Sequence, residues 1–240
     1  MKPSLALLLL AFPFVSPHEA DPGQSAKDPF PAATEGIQFP TQEASHWSLM
    51  DLIEEYGRVT NQSFLISTET RPNLEQTDVP TSGPLTIAPD QVHSVVETIL
   101  VDSGYVLHIA RESEPRVLSI RHQYGNSRNG LRANARFVPV GQIDGWRDHP
   151  AFIIHTIVHL EHADARSLSN SLRSMLTDAN IQQVVWAGNM GSLVVTGFSP
   201  WVSDMVAMIQ EIDQSEGERL AAIAARQAAA AEAEDPQEEN

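Results

Sequence analysis

The order in which the hydrophobic period changes along the chain limits its fold more than any other feature. Over residues 36–122, and again over 152–213, stretches with helical apolar spacing alternate with short runs suited to strands. Gly36 to Phe39 suits a short edge strand. Ser48 and Asp51 match a capping box heading a helix that carries Leu49, Leu52, Ile53, Tyr56 and Val59 on one face. Gly57 weakens that helix by ~1 kcal/mol relative to alanine, and Asn61 suits its stop. Phe64–Ile66 and Leu85–Ile87 read as strands. A second helix opens at Pro89 with the stripe Val92, Val95, Val96, Ile99 and Leu100, and Gly104 stands where a left-handed stop belongs. Strands at 105–109 and 117–120 close this unit as β-α-β-β-α-β-β.

The second unit repeats the first five elements, β-α-β-β-α. Phe152 to Leu160 reads as a strand. Asp164 caps a helix whose buried stripe is Ala165, Leu168, Leu172 and Met175 or Leu176. Strands at 181–186 and 193–196 flank the turn AGNMGS, and Ser199 and Pro200 suit the first turn of a last helix. The fold class expected is therefore α+β, in two small units that each bury their own apolar face.

The remaining segments differ in character. Residues 1–20 carry Lys2, an apolar run from Leu5 to Val15 and small residues at Ser16 and Ala20, the anatomy of a signal peptide. That run is about half the ~20 residues a spanning helix needs. No cysteine follows to carry a lipid anchor, and no other stretch is long and apolar enough to cross a membrane as a helix, so a soluble, exported product is expected. Residues 21–35 read as a linker rich in Pro, Ala and Asp. Residues 123–151 read as a second linker. Six arginines (116, 121, 128, 132, 136, 147) against Asp144 and Asp148 make residues 115–150 the basic part of an otherwise acidic chain. That run is either a solvated face or a surface for an acidic protein. Residues 214–240 hold nine alanines between 221 and 233 and end in DPQEEN. Leu220 and Ile223 are too few to bury a face, so a frayed, solvated helix is expected there.

Charge and cysteine content exclude several functions. Thirty-one acids against 15 bases give a net charge of -16, which disfavours nucleic acid. Gly188 to Gly191 (GNMG) has the GxxG spacing of RNA-binding KH loops, but it lies between two strands and carries no basic residue. The absence of cysteine removes disulfides, thiolate zinc, iron–sulfur clusters and a cysteine nucleophile. No P-loop, GxGxxG or GxSxG occurs. His155, His159 and His162 in HTIVHLEH invite a zinc reading and, with it, a metal-dependent hydrolase. In a strand, however, only His155 and His159 share a face, which fits the polar outer side of a half-exposed strand. His93 and His108 read as ordinary, partly buried residues. Neither enzymatic activity nor a cofactor is expected.

The helix SLMDLIEEYGRVTNQSFLI, the run PLTIAPDQVHSVVETILVDSGYVLHI and the strand RVLSI resemble the secretin/TonB short amino-terminal domain. HTIVHLEHADARSLSNSLRSML and NMGSLVVTGFSPWVSDMVAMIQEID resemble the secretin short repeat, which has a KH-like fold. Together the resemblance covers about 36–213. Further repeats and the β-rich pore module are not seen after it, so the family's channel role is not carried over. The resemblance implies a periplasmic protein–protein interaction module, with secretin or other secretion or pilus components as partners and self-association into rings. An alternative it implies is a sensor or gating domain like those preceding TonB-dependent receptors. Arg166, Asn170 and Arg173 lie off the buried stripe of their helix and are the expected partner contacts.

Overall fold

The structure, a computed structural model, describes residues 28–39, 47–81, 83–113, 116–124, 130–188 and 191–234, with side chains described as far as residue 230. The expected signal peptide lies outside the described residues.

The first unit follows the expected order with one addition. β1 (Ile37–Phe39) leads to α1 (Leu49–Thr60), β2 (Ser63–Ile66), the short helix α2 (Arg71–Gln76), β3 (Leu85–Ile87), α3 (Val92–Asp102), β4 (Tyr105–Arg111) and β5 (Val117–His122). Helix α2 has one buried side chain, Leu74, so it leaves no apolar periodicity to read. The Ser48–Asp51 capping box closes the head of α1, and Asn61 ends it in the left-handed region at φ 54°. Pro89 opens a 3₁₀ turn ahead of α3, and Gly104, at φ 84°, follows the end of α3. Strands β1 and β3 pair antiparallel, and β2, β5 and β4 form a second sheet in that order.

The second unit contains β6 (Arg136–Phe137), β7 (Ile153–His159), α4 (Ala165–Leu172), β8 (Gln183–Trp186), β9 (Ser192–Phe198) and α5 (Ser199–Glu234). Its sheet order is β6-β7-β9-β8. Asp164 caps α4 by accepting from the Ser167 N–H at 2.7 Å. Ala165, Leu168 and Leu172 are buried, Leu176 is half-buried and Met175 is exposed. Ser199 does not act as the expected cap. Its hydroxyl proton is shared between the carbonyls of His149 and Phe152, at 2.8 and 3.0 Å, and its N–H also donates to the Phe152 carbonyl, which ties the start of α5 to the strand entry. Helix α5 runs on without a break through Glu234, with Leu220 and Ile223 exposed, so the alanine-rich tail extends the anchored helix instead of starting anew. Helix nucleation is the costly step, and the packed half supplies it.

The apolar faces are not closed within each unit. One continuous cluster runs from Ile37, Leu52 and Leu118 to Ile154, Leu193 and Val202. The stretches read as linkers take part in it. Phe30 stacks on Phe152 with ring centroids 5.1 Å apart and meets Trp146 edge-on at 5.8 Å. Val138, Ile143 and Trp146 are buried as well. A turn-rich stretch has no period, so its scattered apolar residues give no sign of burial until the chain folds back.

Most described arginines of the basic stretch find partners within the molecule, Arg132 and Arg147 from exposed positions. Arg116 donates to the Pro29 carbonyl and lies over the Phe30 ring, and Arg132 donates to the Ala179 carbonyl. Arg136 pairs with Glu112 and lies over Trp146, and Arg147 pairs with Asp204. Arg128 lies outside the described residues.

Gly57 shows packing overriding propensity. A Cβ at this position would stand 2.9 Å from the Gln62 carbonyl oxygen and 3.3 Å from the Phe64 ring. Gly57→Ala therefore lowers stability in urea unfolding, although helix propensity alone would raise it by ~1 kcal/mol. A stabilised variant would show that the turn after α1 yields freely.

Candidate functional site: a buried polar cluster and an outward helix face

Helix α1 carries Tyr56 inward, and α3 carries His93 and Glu97 one turn apart, so that all three side chains meet in the interior. The segment leading into β7 supplies His149, and residue 28 supplies a carboxylate from the amino-terminal side. Tyr56, Glu97 and His149 are completely buried. Glu97 Oε1 lies 3.0 Å from His149 Nδ1 and 3.0 Å from the Tyr56 hydroxyl, while Oε2 accepts from the Ala151 N–H at 3.3 Å. The far ring nitrogen of His149, Nε2, lies 3.0 Å from Asp28 Oδ1. His93 Nε2 lies 2.9 Å from the Pro31 carbonyl and its Nδ1 2.7 Å from the Tyr56 hydroxyl. A carbonyl only accepts, so Nε2 carries the His93 proton and Nδ1 turns a lone pair toward Tyr56.

The charges follow from this arrangement. Burial alone would push the His149 imidazole down, but its hydrogen bonds to Asp28 and Glu97, and their charges, outweigh burial and raise it to about 9. Burial lowers His93, against smaller opposing effects of the Pro31 carbonyl and Glu97. Burial raises the Tyr56 hydroxyl well above its usual range, and the Glu97 carboxylate adds to this. Asp28 is opposed by burial yet held below its usual value by the His149 hydrogen bond and the Phe30 N–H. The cluster thus holds an imidazolium between two carboxylates, beside a neutral imidazole and a neutral phenol.

Sequence reasoning passed over Glu97, His149 and Asp28 and read His93 as ordinary. The one local signal is the i, i+4 spacing of His93 and Glu97 beside an apolar stripe. His149 is 52 residues from Glu97 and shares no motif with it.

The other histidines do not converge. His155, Ile157 and His159 alternate with buried residues along β7, which puts them on its outer face. His155 packs against Phe137, and His159 Nδ1 lies 2.8 Å from the Ser192 hydroxyl. His162 lies beyond the strand, because Asp213 of α5 accepts from the N–H groups of Glu161, His162 and Ala163 and holds that turn against the helix. Among the described residues, the group able to gather three ligand atoms is His93, Glu97 and His149.

Arg166, Asn170 and Arg173 are all exposed. The Arg166 guanidinium lies over the Trp186 ring at 5.6 Å, which braces it against the edge strand β8. The opposite face of the same sheet is open and partly apolar, with Phe137 50% and Ile157 39% exposed. A cavity of about 180 Å³ lies between β4 and the second sheet, lined in part by Leu107, His108, Arg136 and Phe152. That is below the roughly 300–1,000 Å³ of ordinary small-molecule sites. No helix among the described residues is long and apolar enough to cross a membrane.

No known family model matches the sequence, and no curated protein matches it. Solved structures do. A chain of the Klebsiella pneumoniae type II secretion system outer membrane complex of PulD, PulS and PulC HR domain superposes over 72% of this chain, with a TM-score of 0.53 and 12% identity. The match spans 26% of that chain's length. The enterotoxigenic Escherichia coli GspC–GspD complex matches over 76% of this chain and 99% of its own, at 16% identity and a TM-score of 0.26. The amino-terminal domain of the secretin XcpQ from Pseudomonas aeruginosa matches over 72% and 66%, at 11% identity and a TM-score of 0.25. The first of these carries the argument, and at that identity it shows the fold.

The buried imidazolium makes stability depend on pH. A histidine raised from 6.5 to about 9 contributes stability that is fully present below pH 6.5 and is lost as pH rises through about 9. The loss is on the order of 3 kcal/mol. Unfolding curves of metal-free protein from pH 6.5 to 10 should show this decline, and His149→Gln should flatten it. An equal decline in both proteins would place the effect elsewhere.

Proposed function

We propose that this chain, which has the fold of secretin amino-terminal domains, is an exported, non-enzymatic protein–protein interaction module of a secretion or pilus apparatus. It works in the periplasm beside an outer-membrane complex. The observation that carries this reading is the superposition on the type II secretion outer membrane complex over 72% of the chain. The signal-peptide pattern of residues 1–20 supports export.

The physical basis is a division between inside and outside. The apolar side chains of both units form one shared core, and Arg116, Arg136 and Arg147 are engaged by partners within the molecule. Two outward faces of the second unit remain. One is the helix face with Arg166, Asn170 and Arg173, and the other is the open sheet face with Phe137, His155 and Ile157. Side-by-side packing sets the helix of one copy on the sheet of the next. Exposed apolar residues rimmed by polar ones suit such contact.

The chain has no cysteine, so introduced thiols report contacts cleanly. Ile157→Cys combined with Asn170→Cys should give a ladder of disulfide-linked oligomers from purified protein under mild oxidation, and each single variant should stay uncrosslinked. In the cell envelope, crosslinking should capture a secretin or an inner-membrane secretion component. A protein that stays monomeric in the first experiment and captures neither partner in the second would refute the proposal.

A further inference from the structure

We propose that His93, Glu97 and His149 bind one divalent transition-metal ion, with zinc the best fit, and that the ion joins the two units. The inference is independent of the secretion reading.

The first argument is geometric. His93, Glu97 and His149 each offer a ligand atom within 4.8 Å of the others, and Glu97 Oε1 stands 3.9 Å from His93 Nδ1 and 3.0 Å from His149 Nδ1. Ligands at about 2.0 Å around a tetrahedral ion stand roughly 3.3 Å apart. Small side-chain adjustments therefore bring these three atoms to one centre. His93 and Glu97 are one helical turn apart on α3, and their backbones are already fixed.

The second argument is the outer ring of partners. His93 gives its Nε2 proton to the Pro31 carbonyl, and His149 Nε2 faces the Asp28 carboxylate. Metal-bound histidines are held in this way, with one nitrogen committed outward to a carbonyl or carboxylate and the other turned to the ion. Here both outward nitrogens are committed, and both inward nitrogens face one carboxylate.

The third argument is the crowding of polar atoms at the centre. The Tyr56 hydroxyl lies 2.7 Å from His93 Nδ1 and 3.0 Å from Glu97 Oε1, so these two atoms converge on one buried point that a cation can share. Two imidazoles and a carboxylate favour zinc and related first-row ions over calcium or magnesium, which take all-oxygen sites. All three ligand residues are buried, so the ion's role is to hold structure, and it loads as the chain folds.

The test uses the full chain, stripped with chelator and refolded with or without metal. Zinc titrated calorimetrically should bind at one ion per chain and raise the melting temperature, and cobalt should give the visible absorption of a tetrahedral site. Asp28→Asn keeps all three ligands and should weaken zinc binding by roughly 10–100-fold. His155→Ala combined with His159→Ala and His162→Ala should leave binding unchanged. Should the Asp28 variant fail to fold, anomalous diffraction from wild-type crystals grown with one equivalent of zinc decides the matter, with a peak among His93, Glu97 and His149 expected. A peak at His155–His162, or no saturable binding, overturns the proposal.

Discussion

The contact of the buried His149 ring with Glu97 on one side and Asp28 on the other is the interaction on which the rest of the architecture depends. A carboxylate as deeply buried as Glu97 is costly unless it is paired and hydrogen-bonded. Its partners come from two distant parts of the chain, Tyr56 of α1 on one side and His149 with the Ala151 N–H just before β7 on the other. Burying that charge therefore requires both units to be in place together. The Ser199 hydroxyl, bonded to the carbonyls of His149 and Phe152, carries the same constraint into α5. Removing one member of such a group leaves a buried charge without its counterpart, which typically costs about 3–5 kcal/mol.

This joint explains why the two units share one core. Phe30, Trp146 and Phe152 pack against the cluster's imidazoles, so the polar centre sits inside an aromatic shell. Low dielectric around the cluster strengthens its hydrogen bonds and makes a lost partner more expensive. The α4 face and the open side of the β6-β7-β9-β8 sheet lie on the outer surface.

Much of the fold was legible in the residue order. Ser48 with Asp51, Asn61, Gly104 and Asp164 each mark a helix end by their own chemistry, and each sits at the end it marks. The alternation along β7 put His155 and His159 on one outer face, where they are found. Short pieces escaped notice for a physical reason. Helix α2 buries Leu74 alone, and β6 has two residues, so neither repeats a period often enough to be seen. Ser199 was misread because a serine before a proline looks like a cap unless the carbonyls waiting for its hydroxyl are known.

The order of the long helices and strands, the ends of α1 and the start of α4, the outward placement of Arg166, Asn170 and Arg173, and the acidic charge balance were decided by local sequence alone. Propensity, capping and period act within a few residues of one another. The shared core, the intramolecular use of the arginines and the meeting of Asp28, His93, Glu97 and His149 were decided only by tertiary structure. Such contacts join residues dozens to more than a hundred positions apart, such as Asp28 and His149, which are 121 apart. Their strength comes from burial, and burial exists only once the chain has folded back on itself.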